Sequence, residues 1–164
     1  MSEVRIATLA DRDAMIDFLR VAHSENGVAP LSEAKMLRAL DRGLARDLSV
    51  IGIIATPNRV MASIGLYCHE WWYSERVFWE DFWNFVRPDH RKSTYANDLL
   101  DFSKMIAVSL EMDLLIGVLS EERTEAKVHM YQRKFGKPKG AAFLYRGSEI
   151  AAVSATNAAK MAAD

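Results

Sequence analysis

Cysteine is nearly absent: Cys68 is the single one in 164 residues, so no internal disulfide and no thiolate metal cage can form. A dominant charge is missing too. The chain carries 21 basic against 22 acidic residues, a formal −1, which excludes a wholesale polyanion binder and a disordered acidic tail. Long apolar runs are lacking: none approaches the ~20 residues of a membrane helix. The opening stretch MSEVRIATLADRDAM is too charged for a signal peptide. His23, His69, His90 and His129 show no metal-ligand spacing, and Cys68 and His69, adjacent on a strand, point to opposite faces and cannot act as a nucleophile–base pair. No repeat, linker or low-complexity core segment is visible. What is present is a half-apolar chain long enough to bury one core, expected to be a single-domain, cytoplasmic α/β protein away from membranes.

Periodicity predicts the elements. Val4 to Leu9 reads as a strand, and Asp11 as the N-cap of a helix reaching about His23, with Met15, Ile16, Leu19 and Ala22 at helical spacing. Ser24-Glu25-Asn26-Gly27 reads as its break. A second helix starts at Ser32 and ends at Gly43 or Arg46-Asp47. Ser49 to Ala55 is a buried strand, Thr56 to Arg59 a turn, and Val60 to His69 its hairpin partner. Val77 to Val86 (VFWEDFWNFV) is a third strand, stopped at Arg87-Pro88 because proline lacks a backbone donor. A long helix runs from Ser93 or Thr94 to about Met112, then a short apolar strand, Leu114 to Val118, which makes a parallel crossover unit. A helix over about 124–134 and a strand over 141–146 complete a mixed sheet with helices on both faces. The domain is expected over 1–147. The tail 148–164, with seven alanines in 17 residues, reads as a frayed helix or disorder.

The segment Phe85 to Ala96 is richest in chemistry. A strand stops at a proline, a cationic loop with Arg91 and Lys92 follows, and a long helix begins. A helix N-terminus offers unpaired N–H groups and about half a positive charge, which suits a phosphate. A solvated basic turn would look the same. On strand 77–86, strict alternation places Glu80, Phe82, Asn84 and Val86 on one face and Trp79, Asp81, Trp83 and Phe85 on the other.

In element order and in this loop the chain resembles the GNAT superfamily of acyl-CoA-dependent N-acyltransferases over roughly residues 4–146. Val86-Arg87-Pro88 fits that family's strand-ending Val-x-Pro. Arg91-Lys92-Ser93-Thr94-Tyr95-Ala96 fits its Arg/Gln-x-x-Gly-x-Gly/Ala, with Thr94 where the first glycine is expected; the threonine either weakens the phosphate cradle or supplies a hydroxyl. The compact ending FGKPKGAAFLYR looks most like divergent members carried by bacteriophages. The resemblance implies a GNAT-like mixed, mostly antiparallel sheet and acetyl-CoA as co-substrate. It implies cofactor contacts from Phe85, Val86, Arg91, Lys92, Ser93, Thr94, Tyr95 and Ala96. The reaction it implies is direct transfer of an acetyl group to an amine, small-molecule or protein, within a ternary complex. Tyr131 would then be the acid that protonates the leaving sulfur, although Phe135-Gly136 reverses the family's Gly-Phe order; it reads equally as a half-buried tyrosine packed on the sheet. Glu80, six residues before Val86, would be the base, directly or through water, with Asp81 as the alternative; Glu80 also reads as an exposed residue or a partner of Arg76. The family's habit of pairing through sheet edges allows a homodimer.

Other features stay open at this stage. Trp71, Trp72, Trp79 and Trp83 form either a core and edge cluster or an aromatic acceptor pocket for a planar or cationic amine. Glu25-Asn26-Gly27 is a substrate-loop candidate. Six basic residues between Arg123 and Lys139 form a solvated face, a phosphate contact or a nucleic-acid track. A non-catalytic partner-binding or nucleic-acid-directed protein on the same fold is the rival reading.

Overall fold

A computed structural model describes residues 3–119 and 124–143. The run SVIGIIAT forms β2 (Ser49–Thr56), buried over six of its residues because it lies inside the sheet with apolar side chains on both faces. It pairs antiparallel with β1 (Arg5–Ile6) and with β3 (Arg59–Trp71). β3 pairs antiparallel with β4 (Ser74–Val86), and β4 lies parallel to β5 (Asp113–Leu115). The spatial order is β1-β2-β3-β4-β5. This is the mixed, mostly antiparallel α/β sheet that the sequence predicts.

Helices cover both faces. α1 (Arg12–Asn26) and α2 (Glu33–Ala45) seat Met15, Phe18, Leu19 and Leu40 against Ile51, Ile53 and Phe85. α3 (Tyr95–Ser109), the crossover between β4 and β5, seats Leu99 and Phe102 against Val50, Ile54, Ile64 and Leu66 on the opposite face. Gly52 lets α3 approach: a Cβ there would meet the Phe102 ring at 2.6 Å. α4 (Thr124–Phe135) docks through polar contacts, with Lys134 Nζ bonded to Asp101 of α3 at 2.7 Å.

Several boundaries differ from the sequence expectation. β1 is two residues long, because Leu9–Asp11 turns into a 3-10 helix. The Asp11 carboxylate does not cap α1; it accepts the Thr8 N–H at 2.8 Å and pairs with Arg5 at 2.6 Å. α1 continues through Ser24, Glu25 and Asn26, whose polar side chains leave its hydrogen bonds intact, and stops at Gly27. β3 and β4 form one long hairpin turning at Trp72-Tyr73, so β4 begins at Ser74 rather than Val77. Ala141–Phe143 is not strand, and the rest of the expected last strand and the tail 148–164 lie outside the described residues.

Candidate active site

β4 is flanked by β5 only from Phe78 to Glu80, opposite Asp113 to Leu115. Beyond that point the two strands part, and among the described residues no strand flanks that edge of β4 from Asp81 to Val86. The split opens at Asp81, whose Oδ1 accepts the Gly117 N–H at 2.8 Å.

A β-bulge sits at the same place. Gly65 pairs with Trp83 and Leu66 with Asp81, leaving Phe82 as an extra residue on β4. The extra residue reverses the alternation. Trp79, Asp81, Asn84 and Val86 share the face of Cys68, Leu66, Ile64 and Ala62, whereas Phe78, Glu80, Trp83 and Phe85 share the face of His69, Tyr67, Gly65 and Ser63. The strict period-two faces expected from the sequence therefore fail. Asp81 and Asn84 come together, and Glu80 is on the other side.

On the first face, Asn84 Nδ2 donates to the Tyr131 Oη at 2.9 Å, bringing α4 over the split. Burial pushes the Tyr131 phenol above its ordinary value; the nearby Asp81 carboxylate adds to the rise, and the Asn84 hydrogen bond opposes it. Burial likewise pushes Asp81 up to about 6, against the pull of the Gly117 N–H and with a small contribution from Glu80. The pair thus has a phenol that keeps its proton and a carboxyl that loses one near neutral pH.

Glu80 is held differently. Its Oε2 accepts the Tyr67 hydroxyl at 2.5 Å and contacts His69 Nε2 at 2.7 Å. Arg76, the other partner the sequence allowed, bonds to Asp113 instead. Glu80 is mid-strand and half-buried, not exposed at a strand start.

The loop after β4 is tied to α1. Arg87 is buried: its Nε donates to the Val60 carbonyl at 2.8 Å, and its Nη2 pairs with Asp17 at 2.5 Å. Arg91 pairs with Glu25 at the end of α1, with its guanidinium 5.9 Å from the Phe85 ring centroid. Thr94 has φ −80°, an ordinary right-handed conformation, so the missing glycine causes no backbone strain; its hydroxyl donates to Asp98 at 2.8 Å. Tyr95 stacks on His90 at 5.6 Å.

Two adjoining cavities meet here. The smaller, about 160 Å³, lies behind the loop; Phe85, Val86, Arg91, Ser93 and Ala96 line it, whereas Lys92, Thr94 and Tyr95 are not among its lining residues. The larger, about 890 Å³, lies between β4 from Glu80 to Phe85, the α1–α2 connection and residues 117–119. Asn26, Asn84, Phe85, Lys127 and Tyr131 line both. Lys127 Nζ donates to Asn26 Oδ1 at 3.1 Å across this shared wall.

The remaining sequence candidates scatter. Trp79 is buried on the α3 side, Trp71 stacks on Phe78 at 4.1 Å, and Trp72 is 93% exposed at the hairpin turn. Trp83 alone of the four lines either of these two cavities, lying over Gly65, where a Cβ would come within 2.6 Å of its ring. The basic stretch is no single face either, since Lys127 turns to the cavities and Lys134 to Asp101, while Arg123 is outside the described residues. Glu25 and Asn26 belong to the last turn of α1 rather than to a loop. Sequence reasoning missed Asn84 as a site residue. A polar residue between Trp83 and Phe85 was the available signal, but alternation without the bulge grouped it with Glu80.

Comparison with known proteins supports the architecture. No family model matches the chain, and no curated protein matches it. Solved structures do. A predicted acetyltransferase from Clostridium acetobutylicum, with acetyl-CoA, superposes with a TM-score of 0.69 at 16% identity, covering 90% of this chain and 96% of that one. AAC(6')-Iy, in complex with the bisubstrate analogue CoA-S-monomethyl-acetylneamine, gives 0.68 at 13% identity, covering 88% and 96%. An aminoglycoside acetyltransferase from an uncultured soil metagenomic sample, in complex with sisomicin, gives 0.61 at 10% identity, covering 88% and 92%. The fold is that of the GNAT acetyltransferases.

Proposed function

We propose that this protein is an N-acetyltransferase that uses acetyl-CoA and acetylates a primary amine by direct attack within a ternary complex. The observation that carries the reading is the shared wall. A small cavity behind a cationic loop and helix N-terminus opens, past Tyr131 and Asn84, into a larger cavity bordered by two carboxylates. Neighbours of the same fold hold acetyl-CoA, a CoA bisubstrate analogue or an aminoglycoside amine.

The residues present fit the cofactor. Arg91 and the first turn of the fifteen-residue α3 offer positive charge to a pyrophosphate, and the unflanked edge of β4 offers main-chain groups to the amides of a pantetheine arm. Arg91 must first exchange Glu25 for phosphate. Bound acetyl-CoA supplies the acetyl group as a thioester. Asp81, poised near neutrality on the Tyr131 face, takes the proton that the acceptor ammonium must lose before its nitrogen can attack. Tyr131 gives its phenolic proton to the departing sulfur and is restored by the second proton that the acylated nitrogen sheds, and Asn84 fixes the direction of that hydroxyl. Glu80, the other carboxylate the sequence nominated as base, borders the larger cavity in the grip of Tyr67 and His69, and acts as an anchor for the ammonium or as the source of a proton-accepting water.

Calorimetric titration with acetyl-CoA, with free CoA for comparison, tests the reading. Micromolar binding that weakens several-fold or more in Arg91→Ala is the expected result. No binding at millimolar ligand overturns it.

A further inference from the structure

The larger cavity carries information about the acceptor, on the reading that it is an acceptor site. Its charged lining is balanced: Glu80 and Asp81 lie on the β4 wall, Lys35 and Lys127 elsewhere. A balanced lining gives no net field to attract a polycation, and a second or third ammonium held against the β4 carboxylates would extend toward the lysines. Most of the remaining surface is apolar. The α1–α2 connection contributes Val28, Ala29, Pro30 and Leu31, and the bulge turns Phe82 outward, 45% exposed.

Rings continue from that bulge along the strands. Phe82 stacks on Trp83 at 5.9 Å and on Tyr67 at 4.2 Å, and Tyr67 stacks on His69 at 4.6 Å. The Glu80 carboxylate is fixed beside this ladder by Tyr67 and His69. A sugar-like acceptor needs many hydrogen-bond partners, and an unpaired hydroxyl against an apolar wall is costly. A single ammonium on an apolar body meets a carboxylate at one end and rings and aliphatic side chains along its length.

We infer that the acceptor is a primary monoamine carried on an apolar, ring-bearing body, with its ammonium at the Glu80–Asp81 wall and its body between Phe82 and the Val28–Leu31 connection. A small arylalkylamine and the amino end of an apolar peptide share that chemistry.

The test is calorimetric titration of the full chain, alone and with free CoA, with phenethylamine, an amidated Phe-Leu peptide, spermidine and sisomicin. Phenethylamine or the peptide should bind at least tenfold more tightly than either polycation, and the tighter of the two identifies the source of the amine. Phe82→Ser should cost that ligand about tenfold while leaving acetyl-CoA binding unchanged, and so should Leu31→Ser, which changes the opposite wall at a surface position. Spermidine or sisomicin binding as tightly as the apolar amines overturns the inference. So does the absence of any amine binding, or apolar-amine affinity unaltered in both variants. Failure of acetyl-CoA to bind is a separate result: it overturns the acetyltransferase reading while the amine ranking still stands or falls by itself.

Discussion

The two halves of β4 belong to one strand but are built differently. From Ser74 to Glu80 it is hydrogen-bonded to β3, and at its end also to β5; Phe78 and Trp79 are buried there. From Asp81 to Val86, among the described residues, β3 alone flanks it, and the other edge faces the split beneath α4. Asp81 and Asn84 lie where the sheet opens, and both cavities border the open half. An unpaired edge is a liability unless something covers it. Here α4 lies over the opening, held by the Asn84–Tyr131 bond. The contrast is that the sheet is closed up to residue 80, and both cavities begin where that closure is interrupted.

The sharpest way to break this contrast is to disable the open half without unfolding it. Tyr131→Phe should lower kcat by about 10²-fold or more, the usual contribution of a general acid, with acetyl-CoA affinity nearly intact. An unchanged rate would make Tyr131 a packing residue. Asp81→Asn should lower kcat/KM comparably and erase an acid limb. In the parent, activity should rise as the pH climbs through about 6, because the base works only when deprotonated. Stability should move the opposite way. Burial raises the folded-state pKa of Asp81 above its unfolded value, so the carboxyl favours the fold below the unfolded pKa and loses that advantage as pH rises through about 6. Asp81→Asn should therefore be more stable at pH 7.5 by roughly 1–2 kcal/mol, read as a higher Tm. A variant less active and more stable marks a functional carboxylate; one less active and less stable marks a structural one.

Cofactor affinity sharpens the comparison with smaller effects. Arg91→Ala and Glu25→Gln should shift it in opposite directions. The first removes a phosphate partner and should weaken acetyl-CoA several-fold. The second releases Arg91 from its internal partner and removes a like charge from beside the phosphates, so binding should tighten by about two- to fivefold, the effect of one screened charge. Titrations in low and moderate salt check both. Weakening in both variants would mean that the ion pair holds the loop in shape rather than competing with the ligand.

What was legible in the sequence follows from what each pattern encodes. SVIGIIAT, the helical stripe of Met15, Leu19 and Ala22, and the stop at Pro88 are local signals, and they located β2, α1 and the end of β4. The cationic loop after Val86 was equally local. The bulge was not: VFWEDFWNFV is aromatic on both sides of Phe82, so nothing in its composition marks the extra residue, and only the register against Gly65 and Leu66 reveals it. That one residue decides whether Asp81 or Glu80 accompanies Asn84. Arg87 was hidden in the same way, because its partners, Val60 and Asp17, come from distant parts of the chain. The helix end at Glu25-Asn26 misled because consecutive polar residues before a glycine look like a loop, whereas here they close α1 and line the smaller cavity.

The smallest expected effect lies in the closed half, at Trp79. Its ring is buried against the α3 side of the sheet, and among the described residues its Nε1 has no hydrogen-bond partner. Two opposing consequences follow from Trp79→Phe. Removing a buried, unpaired N–H recovers about 1–3 kcal/mol of desolvation cost. Replacing an indole by a phenyl ring loses buried apolar area and leaves a small void, a cost of about 1–3 kcal/mol for a partial truncation of this size. The two nearly cancel, so Tm should move by only a few degrees in either direction. Turnover and acetyl-CoA affinity should stay within twofold of the parent, because Trp79 sits one residue pair before the strands part and borders neither cavity. A large loss of activity without a loss of stability would mean that the closed half of β4 takes part in the chemistry, and the division at Asp81 would have to be redrawn.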